Sequence, residues 1–174
     1  LINDEKTLGI TVHEINEKFD DGKILHIEKI KIDDSMSNKE IYKKVLYGTP
    51  NIIKFIFKNK IFKNKINKSG QDIYWRARNL NDSRINWNLD SRKIFLFIRA
   101  LSRNPIYAYS NYNSLKFYFY STEVTNISRK NLCPGTVIKE SVSLYIVCGD
   151  YKLLKIIEYK CEQDKILNQD FVLH

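Results

Sequence analysis

Five short runs of β-favouring residues lie between residues 106 and 157, and they constrain the fold of this 174-residue chain more than any other feature. The runs are rich in aromatic and β-branched residues, and turn-forming clusters of Ser, Asn, Pro and Gly separate them. They span 106–109, 115–120, 136–138, 143–147 and 153–157. Short strands at nearly regular spacing are typical of a small antiparallel β-barrel. The sequence therefore predicts such a barrel in the C-terminal half.

The N-terminal third predicts a different arrangement. Residues 9–15 (GITVHEI) and 24–32 (ILHIEKIKI) are β-branched and partly alternating, which indicates two strands. Between them, Asp20-Asp21-Gly22 supplies residues that favour a turn. The chain also begins at Leu1, with its only Met at position 36. Because a core strand arrives almost at once, we expect this sequence to be the back part of a longer protein.

Two helices are predicted from capping residues. The first begins near Ser37, since Ser37 and Glu40 match a capping box, and Thr49-Pro50 is expected to kink or divide it. The second begins after Asp90 and ends at Asn104-Pro105. The apolar stripe of the first helix comprises Ile41, Val45, Leu46, Ile52, Ile53, Phe55 and Ile56.

The composition excludes several classes of protein. With 43% hydrophobic residues, the chain has ample material for a core and is not disordered. No apolar run reaches the roughly 18 residues that a membrane-spanning helix needs. The three cysteines are odd in number and widely spaced, which favours a reduced, cytoplasmic protein with no disulfide framework and no metal site.

The net charge of +9 is unevenly distributed, and two interpretations of this distribution are open. Residues 37–69 carry nine Lys against one acid, which fits either a phosphate-rich partner or a Lys-coated helix. Six of the seven Arg lie between positions 76 and 103. Because the guanidinium binds phosphate or carboxylate bidentately, this cluster indicates either an anion site or structural pairs with Asp82 and Asp90.

Three sequence blocks carry a family resemblance. In GITVHEINEKFDDGKIL, a G-x-T-x-H strand is followed by Asp20, seven residues after His13, and then by Gly22. This pattern resembles the formyltransferases that use 10-formyltetrahydrofolate. A second block, at 78–87, is similar to their R-x-x-x-D-x-x-I-x-W segment. FIRAL and CPGTVI, at 97–101 and 133–138, resemble the C-terminal part of the same family.

The resemblance covers essentially the whole chain and implies an α/β fold. Residues 1–69 would form the C-terminal part of a Rossmann-like formyltransferase domain. Residues 70–88 would be a linker that crosses between domains. Residues 89–174 would form a small antiparallel β-barrel of OB-like type. One departure is NPIYAY at 104–109, where relatives often carry a Pro-Gly-Ala turn, so the first barrel strand is expected to enter differently.

The resemblance also assigns roles to residues of the first block. Formyl transfer to an amine requires a group that accepts the amine proton, and a carboxylate performs that task. Asp20 matches the Asp of the family's catalytic Asn–His–Asp set, and His13 matches a supporting residue. Without the resemblance, Asp-Asp-Gly is an ordinary turn. The loop expected to offer backbone groups to the pterin of 10-formyltetrahydrofolate comprises Ile15, Asn16, Glu17, Lys18 and Phe19.

The family's catalytic Asn and His precede this motif, so their place would lie before Leu1. The chain alone is therefore expected to be inactive, although its parent would be an enzyme. A non-catalytic binding or dimerisation module is the alternative, and a homodimer is compatible with both.

Several amines are candidate substrates within the family. A nucleotide-linked amino sugar is favoured, because Tyr74 and Trp75 could stack on a base or sugar while Arg76 and Arg78 bind a diphosphate. Asp82 completes this predicted substrate site, although the two aromatic residues could instead be buried between domains. Methionyl-tRNA is the alternative, supported by the positive charge. Glycinamide ribonucleotide is disfavoured, since its enzymes lack the C-terminal barrel.

Overall fold

The computed structural model describes residues 1–18, 20–61, 76–102, 107–167, 169 and 171–174. The chain divides into two units. One contains Glu5–Ala77, and the other contains Leu1–Asp4 together with Arg78–His174. We call them the N-terminal and the C-terminal unit.

The N-terminal unit begins with a β-hairpin. Strands β1 (Thr7–His13) and β2 (Ile24–Lys31) pair antiparallel, from Thr7 opposite Lys31 to His13 opposite Ile24. Both strands were predicted to within two residues at each end. The register shifts between Val12 and His13, so the ladder is irregular at its last pair. Such an irregularity changes the direction of the side chain beside it, which here is His13.

Helix α1 (Asn38–Lys58) follows the hairpin. The predicted capping box is confirmed, since the Ser37 hydroxyl accepts from the Glu40 N–H and the Glu40 carboxylate accepts from the Ser37 N–H. The predicted division at Thr49-Pro50 does not occur, because Pro50 lies inside the helix, and the other expectation, a kink, stays a prediction. Proline removes one backbone hydrogen bond, but buried side chains on both sides of it, Ile41 and Ile52, hold the two halves in one helix.

The buried face of α1 is narrower than the predicted stripe. Ile41, Ile52 and Ile56 are buried, whereas Leu46 is 55% exposed and Phe55 is 48% exposed. Within its own unit, α1 packs against β2 of the hairpin. A single hairpin covers only one side of a helix, so the remaining apolar residues stay at the surface.

The C-terminal unit contains a five-stranded antiparallel sheet with the order β3-β4-β7-β6-β5. The strands are β3 (Ala108–Tyr112), β4 (Leu115–Ser128), β5 (Val137–Glu140), β6 (Ser143–Val147) and β7 (Lys152–Cys161). All five predicted strands are present. β4 is longer than expected because its pairing with β7, along residues 117–128, continues well beyond its pairing with β3, along residues 115–119.

The predicted barrel is not confirmed as a closed or OB-like barrel. Among the described residues, β3 and β5 stand at opposite ends of the strand order and form no ladder with each other. The last residues of the chain instead form backbone hydrogen bonds near both edges of the sheet. Asn111 in β3 exchanges two backbone hydrogen bonds of 2.8 Å with His174, and the Leu173 N–H donates to the Gly135 carbonyl over 3.0 Å. An open strand order with a bridging C-terminus is therefore what the structure contains.

Helix α2 (Ser91–Ala100) packs on β4 and β7. Asp90 caps it as predicted, accepting from the Lys93 N–H. The expected stop at Asn104-Pro105 lies outside the described residues. The core beneath α2 is formed largely by aliphatic and aromatic side chains, among them Ile94, Ile98, Phe117, Phe119, Ile146 and Leu154.

The segment before α2 contains a short helix and two residues of the core. It contains a 3-10 helix, Leu80–Ser83, and then places Ile85 and Trp87 in the core, each 3% exposed. The Trp87 indole N–H donates to the Ser110 hydroxyl over 2.9 Å. These contacts anchor the segment to the C-terminal unit, while the predicted domain boundaries stay a prediction.

The three cysteines are free thiols. Burial raises the pKa of the Cys148 thiol to about 12, so this side chain is packed as a neutral group. None of the helices in the described part of the chain is long and apolar enough to cross a membrane.

Candidate functional site

The loop between β1 and β2 is held at its base by close backbone contacts. The Glu14 N–H donates to the Lys23 carbonyl over 3.0 Å. A Cβ atom on Gly22 would lie 1.6 Å from the Glu14 carbonyl oxygen. The two atoms would clash at this distance, so any residue other than glycine would force the backbone to move. The glycine of the Asp-Asp-Gly sequence is therefore required by the close approach of the two ends of the loop.

His13 stands at the start of this loop. Its Nδ1 lies 2.8 Å from the Glu14 carbonyl oxygen, and only a protonated nitrogen can donate to that oxygen. The other nitrogen, Nε2, lies 3.5 Å from Oδ1 of Asp20. The sequence predicted both residues for the site, and the structure brings them together.

Asp20 has a left-handed backbone conformation, with φ of 53°. Among residues with a side chain, Asp and Asn tolerate this region best. The Asp20 side chain is 96% exposed, whereas that of His13 is 30% exposed. The turn thus presents a solvent-exposed Asp20 side chain beside a half-buried imidazole.

A cavity of about 370 Å³ adjoins this pair, lined by His13, Ile15, Asn16, Glu17, Lys18 and Asp20. Ile15 is 96% exposed and offers an apolar surface. The Asn16 side chain organises the loop, since its oxygen accepts from the Lys18 N–H over 3.0 Å. An apolar side chain beside a loop backbone fits a flat heterocycle such as a pterin. Phe19, also predicted for this loop, lies outside the described residues.

The structure describes three of the five residues predicted to bind the substrate. Tyr74 and Trp75 lie outside the described residues. Arg76 and Arg78 are exposed, and Nη1 of Arg76 donates to the Ala77 carbonyl over 3.2 Å. Asp82 forms a capping box with Asn79, whose N–H donates to the Asp82 carboxylate over 2.8 Å.

The predicted alternative, that the arginines pair with Asp82 and Asp90, stays a prediction. Arg92 pairs with Asp4, with 2.5 Å between Nη2 and Oδ1. Asp90 lies 3.0 Å from Nζ of Lys93. Within the described residues, no group of three or more His, Cys, Asp or Glu side chains could hold a metal ion.

Beyond Arg78 and Asp82, the sequence predicted no site residue in the C-terminal unit, yet the structure contains a cavity there whose lining includes four tyrosines. The available signal was the alternation in KFYFY, residues 116–120, which places the tyrosines on one face of a strand. A strand pattern alone could not show that a neighbouring element closes this face into a cavity.

Comparison with known proteins defines the class. Residues 79–173, more than half of the chain, match the family described as Formyl transferase, C-terminal domain. The chain therefore belongs to the formyltransferase family.

Two curated relatives extend the likeness over nearly all of the chain. The bifunctional polymyxin resistance protein ArnA of Wigglesworthia glossinidia brevipalpis is 33% identical over 174 residues, covering 97% of this chain and 26% of the relative. The methionyl-tRNA formyltransferase of Thermodesulfovibrio yellowstonii is 33% identical over 171 residues, covering 96% of this chain and 53% of the relative. The chain thus spans about half or less of these proteins.

A solved structure shares the fold. WlaRD, a sugar 3N-formyltransferase crystallised with dTDP and 5-N-formyl-tetrahydrofolate, superposes with a TM-score of 0.67 at 20% identity. The match covers 89% of this chain and 56% of that one.

Proposed function

We propose that the full-length protein transfers a formyl group from 10-formyltetrahydrofolate to the amine of a nucleotide-linked amino sugar. The observation that carries the proposal is the pairing of His13 and Asp20 at the mouth of a loop whose closure requires Gly22. Family membership supports the reaction type. The dTDP and formyl-tetrahydrofolate in the WlaRD structure support the substrate class.

Asp20 is the proposed proton acceptor. When an amine attacks a formyl carbon, the nitrogen must lose a proton as the new bond forms, and a carboxylate within hydrogen-bond reach accepts it directly or through one water. His13 is the proposed positioning residue. The contact of its Nδ1 with the Glu14 carbonyl fixes the orientation of the ring, with Nε2 3.5 Å from Oδ1 of Asp20.

The loop 15–19 is the proposed binding segment for 10-formyltetrahydrofolate, which supplies the formyl group when bound. Ile15 would contact the face of the pterin, since its side chain is almost fully exposed. The backbone groups of the loop would bond to the ring edge, and the Asn16–Lys18 hydrogen bond would keep them in place.

Substrate binding is proposed for Tyr74, Trp75, Arg76, Arg78 and Asp82. The guanidinium groups would bind a diphosphate, and the aromatic rings would stack on a base or sugar. The Asp82 carboxylate already accepts the Asn79 N–H, which limits its freedom to bind a substrate.

The proposed architecture follows the family. Residues 1–69 would complete a Rossmann-like catalytic domain, 70–88 would connect it, and 89–174 would form the OB-like barrel domain of a cytoplasmic enzyme. A homodimer is part of this proposal.

Methionyl-tRNA is the second candidate substrate. It is favoured by the relative from Thermodesulfovibrio yellowstonii, which carries that name, and by the net charge of +9. Backbone recognition of tRNA is largely electrostatic and is therefore weakened by salt.

The test measures formyl transfer by the full-length protein from 10-formyltetrahydrofolate to dTDP-linked amino sugars and to methionyl-tRNA. Asp20→Asn should lower kcat by about 100-fold or more, because it removes the base. Stability should not change, since the side chain is exposed. Asp21→Asn, next in the same turn, is the matched control and should keep a rate close to wild type.

Each outcome decides a different point. Near-wild-type turnover by Asp20→Asn would remove the role of Asp20. Efficient transfer to methionyl-tRNA without transfer to any sugar would replace the sugar substrate by tRNA. No transfer to either amine would overturn the proposed activity.

A further inference from the structure

The C-terminal unit contains a cavity of about 330 Å³ beside the 3-10 helix Leu80–Ser83, on the face formed by β3, β4 and β7. Four tyrosines and two lysines form most of its lining: Tyr107, Tyr109, Tyr118, Tyr120, Lys116 and Lys160. Cavities of this size accept small organic ligands. We call it the tyrosine cavity.

Strand geometry explains why these residues share one face. Tyr109 pairs with Tyr118, and Tyr118 pairs with Lys160, so the three lie in one row across the sheet. Along β4, successive side chains alternate between faces. Phe117 and Phe119, which alternate with Tyr118, are fully buried in the core on the other side.

The tyrosine rings support one another. The rings of Tyr107 and Tyr120 meet edge to face with 4.6 Å between centroids, and those of Tyr109 and Tyr118 lie 6.3 Å apart. Nζ of Lys116 lies 5.0 Å from the centroid of the Tyr109 ring. Aromatic walls held in this way suit a flat ring, because little freedom is lost when a ligand stacks on them.

One buried hydroxyl in the lining of the cavity has no hydrogen-bond partner among the described residues. Ser83 lines the cavity and is 1% exposed, yet its Oγ makes no hydrogen bond within the described part of the chain. Buried polar groups are nearly always hydrogen-bonded, since leaving one unpaired is destabilising. The cavity therefore holds a polar group that a ligand can satisfy.

The charges at the cavity leave one cation unbalanced. Glu162 accepts the Tyr118 hydroxyl over 2.6 Å and lies 3.7 Å from Nζ of Lys116. Lys160 is exposed and forms no ion pair with a described residue. A ligand with one negative group would therefore find a counter-charge at Lys160.

The hydroxyls of Tyr118 and Tyr120 stay protonated at neutral pH. Burial, followed by the hydrogen bond to Glu162, raises the pKa of Tyr118 to about 12. Burial also raises the pKa of Tyr120. These two tyrosines thus add no negative charge to the cavity, and the carboxylate of Glu162 in its lining is paired with Lys116.

We propose that the tyrosine cavity binds a nucleoside monophosphate, with the base against the tyrosine rings, the phosphate at Lys160 and a polar atom at the Ser83 hydroxyl. This site lies within the C-terminal unit, and its proposed ligand takes no part in the formyl transfer reaction. Its failure would leave the proposed function untouched.

The first experiment separates the chemical parts of the ligand. Isothermal titration calorimetry of the intact chain compares AMP and UMP with adenosine and with inorganic phosphate. We expect binding of a monophosphate, weaker binding of adenosine and no binding of phosphate alone. Phosphate that binds as well as AMP would overturn the proposal, as would an oligonucleotide that binds when neither monophosphate does.

Substitutions then locate the site. Ser83→Ala should weaken monophosphate binding by about three- to tenfold, because one hydrogen bond is lost. It should also raise the thermal midpoint of the ligand-free chain, since an unpaired buried hydroxyl is removed. Unchanged monophosphate affinity in Ser83→Ala would contradict the proposal.

Lys160 tests the phosphate position. Lys160→Gln should weaken AMP binding by about tenfold and adenosine binding hardly at all, as expected for one charged contact. Lys152→Gln, in the same strand but outside the cavity lining, is the control and should bind AMP as the wild type does. Equal effects of the two substitutions would place the phosphate elsewhere and refute the site.

Discussion

The hairpin of the N-terminal unit and the sheet of the C-terminal unit hold their polar groups in different ways. In the hairpin, Asp20 is 96% exposed, and its position depends on backbone contacts: a register shift beside His13 and the close approach at Gly22. In the C-terminal unit, Ser83 of the 3-10 helix and the tyrosines of the cavity are fixed by side-chain packing. A loop site is thus sensitive to changes of backbone, and a packed site to changes of side-chain volume.

The largest expected effect is on the packed core. Phe119 is fully buried and meets Trp87 edge to face, with 5.7 Å between ring centroids. Phe119→Ala should lower the free energy of unfolding by about 3–5 kcal/mol, because it leaves a cavity. Urea unfolding followed by near-UV circular dichroism measures this change.

Phe57 provides the matched control from the N-terminal unit, since its side chain is 65% exposed. Phe57→Ala should change the unfolding free energy by less than about 0.5 kcal/mol. Comparable losses from the two substitutions would show that the contrast between the units is mistaken.

The next effect concerns the loop backbone. Gly22→Ala would bring a Cβ against the Glu14 carbonyl and force the two ends of the loop apart. Formyl transfer by the full-length protein should fall by about 100-fold, since a shift of roughly 1 Å misplaces Asp20. Gly9→Ala is the control, because its Cβ would lie an ordinary 3.7 Å from Ile27. A rate that survives Gly22→Ala would show that the loop tolerates rearrangement.

The smallest effect is at the start of α2. Hydrogen bonding from the Lys93 N–H lowers the pKa of Asp90 below its ordinary value. Asp90→Ala should lower the unfolding free energy by about 1 kcal/mol at pH 7. Because the folded-state pKa is depressed, the charge-dependent part of this contribution is present above the ordinary pKa and is lost as pH falls through the folded value.

Asp90→Asn separates the cap from its charge. It should keep most of the stability at pH 7, since Asn caps helices as well as Asp does, and it should lose the pH dependence below about pH 4. The measurement is urea unfolding of the three proteins between pH 3 and 7. A difference between Asp90→Ala and wild type that does not shrink on acidification would contradict the role of the charge.

Much of the fold could be predicted because local signals agreed with the tertiary structure. Ser37 with Glu40 and Asp90 with Lys93 are short-range caps, so sequence spacing defines them. Strand β6 was predicted to the residue, since turn-forming residues bound it on both sides. Local signals failed at Pro50, where packing on both sides of the proline keeps α1 continuous.

The candidate site was predicted only in part. The spacing in the first sequence block was sufficient to select His13 and Asp20, and the structure brings their side chains within 3.5 Å. The tyrosine cavity was missed, because its walls come from β3, β4, β7 and a 3-10 helix that are distant in sequence. A local sequence pattern does not predict which face of a strand a segment from elsewhere in the chain will cover.

The sequence by itself determined the family, the order of helices and strands, and the pair of residues at the hairpin loop, since each depends on spacing along the chain. Only the tertiary structure decided that the sheet order is open with the C-terminus bonded near both edges, and that Ser83 is buried without a hydrogen-bond partner among the described residues. The physical reason is that closure and burial arise where distant segments meet. Their free energy depends on packing in space, which short sequence patterns do not encode.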